Sequence, residues 1–507
     1  MENRETNRGQ YILDALNDHC MGGDAYITAG NLYSLCLRKN DKLSYQEFSA
    51  DLAELFRLML ITAEGENIYL TRIWRYEESA AQALSGLLLG NSLPAVSVPV
   101  GLSIGGVTLC EEQRQSVEMA LSKRLSLILG GAGSGKTSLV RALCQCSGVH
   151  PLQTVLCAPT GKAARNLADK TGMSVRTVHS VLGLRPHDDF LGAVTWNMIR
   201  LLIVDEVSMM TLEMLAGILC RVPTECRVVL IGDEKQLPAV GAGDIIRDLC
   251  QLRFPCIHLK ENHRQDAHAL ALTCNVTCFS KMHQISHLTQ DNSFEIINEP
   301  EDQLASALVD DASQRYLRGE SVQVLSPYRK GMLSAEQLNL RIRDQVNPVQ
   351  PDMLLIRQGS RTFRDGDRVL ITRNDRERNV SNGDIGVLHI LTATDDYCSF
   401  WIELPDGRSP DWEGDAAKLA ISEMLLAYAL TVHKSQGSEY DTVLLPLTMG
   451  MSGMLNRNLL YTAVSRARKG VRIYGADQAV DTALQRSLTP RRSMLVARTL
   501  RHFSSVA

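Results

Sequence analysis

Residues 125–137 read LSLILGGAGSGKT, an apolar run that leads directly into a glycine-rich loop. From Gly130 onward the string fits the phosphate-loop pattern G-x-x-x-x-G-K-[ST] in full. The apolar strand before the loop and the helical segment after it, residues 138–144, are the context that this pattern requires. Such a loop turns backbone N–H groups toward phosphate oxygens, and the following helix adds positive potential. The predicted nucleotide-binding residues are Gly131, Ala132, Gly133, Ser134, Gly135, Lys136, Thr137 and Ser138.

Two later segments predict the hydrolytic half of this site. Asp205 and Glu206 follow an apolar run, at the carboxyl end of a strand, where open α/β sheets place their ligands. Thr137 and Asp205 are the predicted Mg²⁺ ligands, and Lys136 is predicted to reach the β- and γ-phosphates of ATP. Glu206 can polarise the attacking water. Gln236, after another apolar run, is placed to sense the γ-phosphate.

Composition restricts the class of protein but not its substrate. The 507 residues are 45% hydrophobic and 22% charged with a net charge of −4, which is typical of a soluble globular chain of several domains. The chain lacks an overall basic coat, although a local nucleic-acid groove is compatible with this charge. The 13 cysteines contain no C-x-x-C pair, which favours a reduced, cytoplasmic protein without structural zinc. No secretory signal or membrane-spanning run is evident.

Further strings resemble the conserved motifs of superfamily one helicases. In chain order, the strings resemble motif Ia (158–164, APTGKAA), motif II (205–209, DEVSM), motif III (231–238, IGDEKQLP), motif IV (261–265, ENHRQ), motif V (431–439, TVHKSQGSE) and motif VI (460–467, LYTAVSRA). Together with SPYRKG at 326–331 and NGDIG at 382–386, they resemble the RecD-like helicases, the 5′→3′ branch of that superfamily. The resemblance covers about 110–475 and, more loosely, 45–90. We expect a short form without the additional N-terminal domains of long RecD-like proteins.

The resemblance implies roles for four more residues of the nucleotide site. Gln113 would contact adenine, and Glu439 would touch the nucleotide sugar or relay its state to the DNA path. Arg264 and Arg466 would be arginine fingers that reach the γ-phosphate from a second domain and stabilise transition-state charge. Ordinary surface ion pairs are the alternative for the two arginines.

The same likeness implies a single-stranded DNA track and, as substrate, a duplex with a 5′ tail. A sequence-neutral track needs backbone contacts and stacking platforms. The predicted nucleic-acid contacts are Thr160, Lys162, His179, Phe190, Ser326, Arg329, Thr431, His433 and Lys434. His179 could equally cap or pack locally. Phe190, in a short pin-like insertion at about 184–197, could equally be an exposed loop aromatic with no such role.

The predicted fold is α/β, because short apolar runs alternate with helical segments from residue 107 onward. The resemblance implies two RecA-like P-loop motor domains and an SH3-like β insertion, and the sequence pattern adds a small N-terminal helical or winged-helix-like module. In that insertion Trp401 and Trp412 are expected in the core. The predicted bounds are 1–95 for the N-terminal module, 96–258 for the first RecA-like domain, 259–370 and 422–507 for the second domain with a basic tail, and 371–421 for the insertion.

Two functions remain open at this point. The first is an ATP-dependent 5′→3′ DNA helicase or translocase. The second is a nucleic-acid-stimulated ATPase that acts as a subunit or remodeller in a larger complex, with residues 1–95 docking to a protein partner. An RNA track is also compatible with stacking and phosphate contacts. The basic tail, with Arg491 and Arg498, is expected to be a solvated face.

Overall fold

The computed structural model describes residues 9–183, 195–260 and 293–506, except residues 329, 376 and 395. At the N-terminus, three helices pack on a small antiparallel sheet with strand order β1-β3-β2. A capping box between Ser44 and Glu47 starts the third helix, and Phe48 and Leu55 project from it into the core. In the described residues, the N-terminal module therefore consists of three helices and three short strands. Its elements are α1 (Gln10–Met21), β1 (Ile27–Thr28), α2 (Ala29–Lys39), α3 (Tyr45–Arg57), β2 (Ile61–Glu64) and β3 (Asn67–Leu70).

The next helix, α4 (Thr71–Leu89), belongs to the first RecA-like domain rather than to this module. Its residues Ala80, Ala81 and Leu84 are fully buried in the same apolar cluster as Leu125 and Leu127 of the phosphate-loop strand. The predicted boundary at residue 95 is therefore too late, and the module ends at about residue 70.

The first RecA-like domain is built on a six-stranded parallel sheet with the order β11-β6-β10-β9-β7-β8. Successive residues of its strands enter two different apolar clusters, so both faces of the sheet are covered. The elements are β4 (Ser103–Ile104), β5 (Val107–Thr108), α5 (Glu111–Leu121), β6 (Leu125–Gly130), α6 (Lys136–Cys146), β7 (Thr154–Ala158), α7 (Gly161–Thr171), β8 (Val175–Thr177), α8 (Val178–Leu182), β9 (Leu201–Val204), α9 (Leu212–Leu219), β10 (Arg227–Gly232), α10 (Ile245–Gln251) and β11 (Cys256–Leu259).

The second RecA-like domain has a five-stranded parallel sheet with the order β12-β23-β22-β13-β21. The strand that begins at Val322 pairs with a strand formed more than 100 residues later, at Thr442–Leu444. Outside the insertion, the elements of this domain are β12 (Phe294–Ile297), α11 (Glu301–Leu317), β13 (Val322–Ser326), α12 (Ala335–Val346), β21 (Ala429–Thr431), β22 (Tyr440–Pro446), α14 (Arg457–Val464), β23 (Ala467–Tyr474) and α15 (Asp477–Gln485).

The SH3-like insertion is larger than its predicted bounds of 371–421. Its five-stranded antiparallel sheet has the order β19-β18-β17-β16-β20, so strands before 371 and after 421 complete it. Trp412 is buried in its core as predicted, whereas Trp401 lies on the opposite face and stacks on His389 at 4.1 Å between ring centroids. The elements are β14 (Leu355–Gln358), β15 (Arg361–Arg364), β16 (Arg368–Ile371), β17 (Ile385–Ala393), β18 (Cys398–Glu403), β19 (Asp411–Glu413), α13 (Gly414–Ser422) and β20 (Met424–Leu426).

The basic tail returns to the first domain instead of extending the second. Its helix α16 (Leu495–Val506) packs along α4, and Leu495 enters the core of the first domain. Arg498 is buried among three glutamates, with Nε 3.1 Å from Glu77, Nη1 3.0 Å from Glu78, and Nη2 paired to Glu64. The expectation of a solvated face is therefore wrong for Arg498, because this residue is buried and pairs with acids from distant parts of the chain. No helix in the described part of the chain is long and apolar enough to span a membrane.

A candidate nucleotide site between the two domains

The phosphate loop links β6 to α6, as the sequence pattern requires. Gly133 and Gly135 have positive φ values of 84° and 80°, a conformation that glycine adopts without steric cost. Gly135 lies directly before the first turn of α6, so the loop leads into a helix N-terminus. Lys136 Nζ donates to the carbonyl oxygens of Gly130 at 2.6 Å and Gly131 at 2.8 Å. The ammonium group thus lies inside the loop, at the position where it would exchange these carbonyls for phosphate oxygens.

Asp205 and Glu206 follow β9 at the carboxyl edge of the same sheet. The Asp205 backbone N–H donates to the Cys157 carbonyl, which fixes the strand end, and the Glu206 N–H donates to Asp205 Oδ1 at 2.9 Å. Burial, and next the Glu206 carboxylate, raise the pKa of Asp205, while Lys136 opposes the rise. Glu206 has a φ of 54°, which is strained for a residue with a side chain. Its buried Oε2 has no hydrogen-bond partner among the described residues.

The second domain closes this site from the opposite side. A cavity of about 350 Å³ contains most of the predicted nucleotide residues. The first domain contributes residues 132–138, Asp205, Glu206 and Gln236 to its walls, and the second contributes Glu439, Ser465 and Arg466. Arg466 is buried, and its Nη2 donates to Ser465 Oγ at 3.0 Å. The guanidinium is thereby held in the wall of the cavity rather than in a surface ion pair.

Gln113 lies beneath the phosphate loop instead of lining the cavity. Its side-chain oxygen accepts from the Cys110 N–H at 3.2 Å, and its Nε2 is 3.5 Å from the Ser134 carbonyl. This position links the start of α5 to the loop, and an adenine contact stays a prediction. Arg264 lies outside the described residues.

Motif VI also contacts motif III, an arrangement that motif strings alone did not identify. Tyr461 OH donates to Asp233 Oδ2 at 2.6 Å and accepts from the Ala132 N–H of the phosphate loop at 3.4 Å. Asn458 Nδ2 is 3.1 Å from the Lys235 carbonyl and 3.2 Å from the Gln236 carbonyl. One short helix of the second domain therefore contacts both the phosphate loop and the backbone that carries Gln236.

Leu237 completes this seam between the domains. Its N–H donates to Thr462 Oγ1 at 2.8 Å, and its carbonyl accepts from Gln436 Nε2 at 2.9 Å. The sequence did contain one signal for the seam, because polar residues at 458, 461 and 462 recur at helical spacing on one face of motif VI.

Several predicted DNA contacts lie where the domains meet on the far side of motif Ia. Thr160 caps α7, and the Cβ of Lys162 is near Gly383 of the insertion. Arg165 pairs with Asp384 and donates to Ser381 at 2.8 Å. The motif V loop reaches the same helix, because Gly437 contacts Ala163 and accepts a hydrogen bond from Asn166. Motif Ia, motif V and the insertion thus form one continuous surface.

The other predicted contacts divide into three groups. Thr431, His433 and Lys434 lie in the motif V loop, and Lys434 is exposed. His179 lies in α8, beside the predicted pin. Ser326 is fully buried, and its hydroxyl donates to the Leu333 carbonyl and accepts from the Tyr328 N–H. The fold thus uses the hydroxyl to shape the loop, and a DNA contact by Ser326 stays a prediction. Phe190 and Arg329 lie outside the described residues.

Three family models match the chain. One described as an AAA domain matches residues 108–291, and one described as a UvrD-like helicase C-terminal domain matches 426–474. The SH3 domain of ATP-dependent RecD-like DNA helicases matches 338–399.

Individual relatives are similar over most of the chain. The ATP-dependent RecD2 DNA helicase of Deinococcus radiodurans is 33% identical over 451 residues, which are 87% of this chain and 59% of that protein. The RecBCD enzyme subunit RecD of Mycolicibacterium smegmatis is 30% identical over 468 residues, 83% of this chain and 80% of that protein. The chain therefore spans less than two thirds of the first relative's length. A solved structure of Bacteroides Pif1 bound to ssDNA is 19% identical, with a TM-score of 0.46, and covers 74% of this chain and 94% of that one.

Proposed function

We propose, on the premise that this chain belongs to the RecD-like family of DNA helicases, that it couples ATP hydrolysis to 5′→3′ movement along single-stranded DNA. The observation that carries the proposal is the cavity whose walls come from both RecA-like domains. Lys136, Asp205, Glu206 and Gln236 face it from one domain, and Arg466 faces it from the other. A nucleotide bound there would report its hydrolysis to both domains at once.

For hydrolysis we assign each group the step its position supports. Lys136 leaves the loop carbonyls and donates to phosphate oxygens. Glu206, with an unpartnered buried oxygen, accepts a proton from the attacking water. Arg466 stabilises the charge that spreads over the transferred phosphoryl oxygens. Removal of the phosphate weakens the contact of Arg466 with the first domain, and the cleft can open.

The residues around the loop also fit Mg²⁺. A hydroxyl at Thr137 and a carboxylate at Asp205 are the oxygen donors that this ion prefers, and both residues line the same cavity. Thr137 and Asp205 would hold the ion, and the ion would neutralise part of the phosphate charge.

Movement on DNA would follow from the surface formed by motif Ia, motif V and the insertion. Thr160 and Lys162 belong to the first domain, whereas Thr431, His433 and Lys434 belong to the second. Opening and closing of the nucleotide cleft therefore changes the spacing between two sets of backbone-binding groups. A strand held alternately by each set would advance along this surface.

A second candidate is an ATPase subunit that depends on a partner, because one relative is itself named as a subunit of the RecBCD enzyme. The N-terminal module offers three consecutive apolar side chains at its surface, Leu58, Met59 and Leu60, which are between 45% and 70% exposed. Contiguous exposed apolar groups are typical of protein interaction sites. We place the partner, in this alternative, on that module.

Strand separation distinguishes the two candidates. Duplexes with either a 5′ or a 3′ single-stranded tail are incubated with the protein, ATP and Mg²⁺, and Lys136→Ala is the control without hydrolysis. We expect release from the 5′-tailed duplex alone, and none with the variant. DNA-stimulated hydrolysis without release from either tail would favour the partner-dependent subunit. Equal release from a 5′-tailed RNA duplex would contradict a DNA-specific track.

A further inference from the structure

A segment at the end of the chain connects the two motor domains a second time. Residues 487–494, here called the C-terminal strap, run from α15 of the second domain to α16 on the first. Along this path the strap passes the loop of residues 239–243, which begins three positions after Gln236. It also passes the turn at residues 23–25 of the N-terminal module. The strap therefore meets two parts of the chain that lie more than 200 residues from each other and from the strap itself.

Arg491 joins these parts through a single guanidinium group. Its Nη1 is 2.7 Å from the Ala239 carbonyl oxygen, 3.0 Å from that of Gly241 and 2.8 Å from that of Gly243. Because Nη1 carries two protons, at least one of them is shared between two acceptors. A positive φ at Gly241 and at Gly243 lets their carbonyls turn toward this nitrogen. The same glycines make the loop backbone conformationally permissive when that contact is missing.

The N-terminal module forms the other wall around this guanidinium. A Cβ built on Gly23 would lie 2.4 Å from Arg491 Nε, so the arginine packs directly on that backbone. The Gly243 N–H donates to the Gly23 carbonyl at 2.9 Å. Next to it, the Arg492 N–H donates to Asp24 Oδ1 at 2.7 Å, and the Arg492 carbonyl accepts from the Ala25 N–H at 2.7 Å. The module, the loop and the strap are thus held at one point.

This point is connected to the nucleotide site through Gln236. A cavity of about 650 Å³ is lined by Gln236, Ala239 and Gly243 on one side and by strap residues 487–490 on the other. Gln236 lines the nucleotide cavity as well, and its buried Oε1 lacks a hydrogen-bond partner among the described residues. On its other flank, Asn458 of the second domain holds the carbonyls of residues 234–236. Beyond Pro238, the Arg491 guanidinium holds three backbone carbonyls and the Gly23 carbonyl holds the Gly243 N–H.

We propose that Arg491 is a positioning residue for ATP hydrolysis: it fixes the loop of residues 239–243 and thereby the orientation of Gln236. Through the same contact, the N-terminal module controls the rate of the chemical step. The inference rests on the proposed function, since it assumes that Gln236 acts on the γ-phosphate. It predicts that loss of the clamp impairs hydrolysis much more than nucleotide binding, because Arg491 itself lies outside the nucleotide cavity.

Four variants of the full chain test this inference by steady-state ATP hydrolysis with saturating single-stranded DNA. Arg491→Ala removes the clamp, and we expect kcat to fall about ten-fold while KM for ATP changes less than about two-fold, as misplacement of a sensing group acts on chemistry. Arg491→Lys keeps the charge without the planar fork and should recover part of the rate. Arg492→Ala alters the exposed neighbour and should match the wild type. Gly23→Ala pushes a methyl against the guanidinium and should resemble Arg491→Ala.

The double variant Gly23→Ala, Arg491→Ala should be no slower than the slower single variant, because both changes act on one contact. If Arg491→Ala matches Arg492→Ala in kcat, the inference is wrong. A rise in KM equal to the fall in kcat would also overturn it. If Arg491→Ala does not fold, kcat is measured instead for Arg491→Lys and for Gly23→Ala. Wild-type kcat in both of these variants would refute the clamp. Absence of DNA-stimulated hydrolysis in the wild type would instead refute the proposed function.

Discussion

Replacing Asp248 with asparagine should make the contact between α10 and the tail more stable at high pH and leave it nearly unchanged at low pH. Asp248 is only 6% exposed, and its Oδ2 has no hydrogen-bond partner among the described residues. Burial, and secondly the charge of Asp244, raise the pKa of Asp248 from its ordinary 3.8 to about 7. The nearby Glu77 also raises the pKa of Asp248, whereas Ser493 and the charge of Arg247 lower it.

The sign and size of the effect follow from these two pKa values. Below pH 4 the carboxyl is protonated in both the folded and the unfolded state, so it has no linked effect on stability. Between pH 4 and 7 the unfolded state loses the proton first, and stability falls as pH rises. Above pH 7 the full difference of about 3 pKa units remains, which corresponds to about 4 kcal/mol. Asparagine resembles the protonated acid and avoids this loss.

Native-state hydrogen exchange of residues 245–251 measures the effect locally, which suits a chain of several domains better than a single melting temperature. After correction for intrinsic exchange rates, Asp248→Asn should gain about 2–3 kcal/mol in opening free energy relative to the wild type between pH 5 and pH 8. Asp396→Asn, at an exposed position of the insertion, is the matched control. A constant difference between Asp248→Asn and the wild type over that pH range would refute the reasoning.

Two other contacts give predictions of different kinds. Tyr461→Phe removes the hydroxyl that joins Asp233 to the phosphate loop by a charge-assisted hydrogen bond, so kcat for ATP hydrolysis should fall about ten-fold. Tyr397→Phe, on the insertion, is the control. Equal kcat in the two variants would contradict a role of the seam in hydrolysis. Arg498→Leu leaves Glu77 buried without its cation and should destabilise the packing of α16 on α4 by about 3–5 kcal/mol, measured as faster proteolysis of the tail. Arg501→Leu removes an exposed ion pair with Glu64 and should destabilise the same packing by less than about 1 kcal/mol. Equal rates of proteolysis in the two variants would show that the burial of Arg498 is unimportant.

The sequence predicted those parts of the site whose function depends on residues that are adjacent in the chain. Residues 130–137 bind phosphate through their own backbone, so their string alone specifies both loop and helix start. Asp205 and Gln236 were located because the carboxyl ends of parallel strands share one edge of a sheet. The predicted β insertion was found from turn residues, yet its bounds were too narrow, since the strand at 368–371 pairs with partners on both sides of it.

The parts that sequence did not predict depend on contacts between distant segments. Tyr461 and Asp233 are 228 positions apart, and Arg491 and Ala239 are 252 apart. The helical spacing of residues 458, 461 and 462 indicates a shared helix face but does not identify Asp233 as the partner, and no such pattern marks Arg491 and Ala239. Ser326 is a further example, because its hydroxyl bonds to the Leu333 carbonyl and the Tyr328 N–H, and the motif string does not indicate these contacts.

Most of the hydrogen bonds that motif III makes across the cleft involve its backbone rather than its side chains. Asn458 holds the carbonyls of residues 234–236, Thr462 and Gln436 hold both polar groups of Leu237, and Arg491 holds three carbonyls beyond it. The side chains of Glu234 and Lys235 are exposed. A backbone held in this way moves as a unit with its partners, and Gln236 is the one side chain in the segment that lines both cavities. Domain closure can therefore change the orientation of Gln236 without any change in the side chains around it.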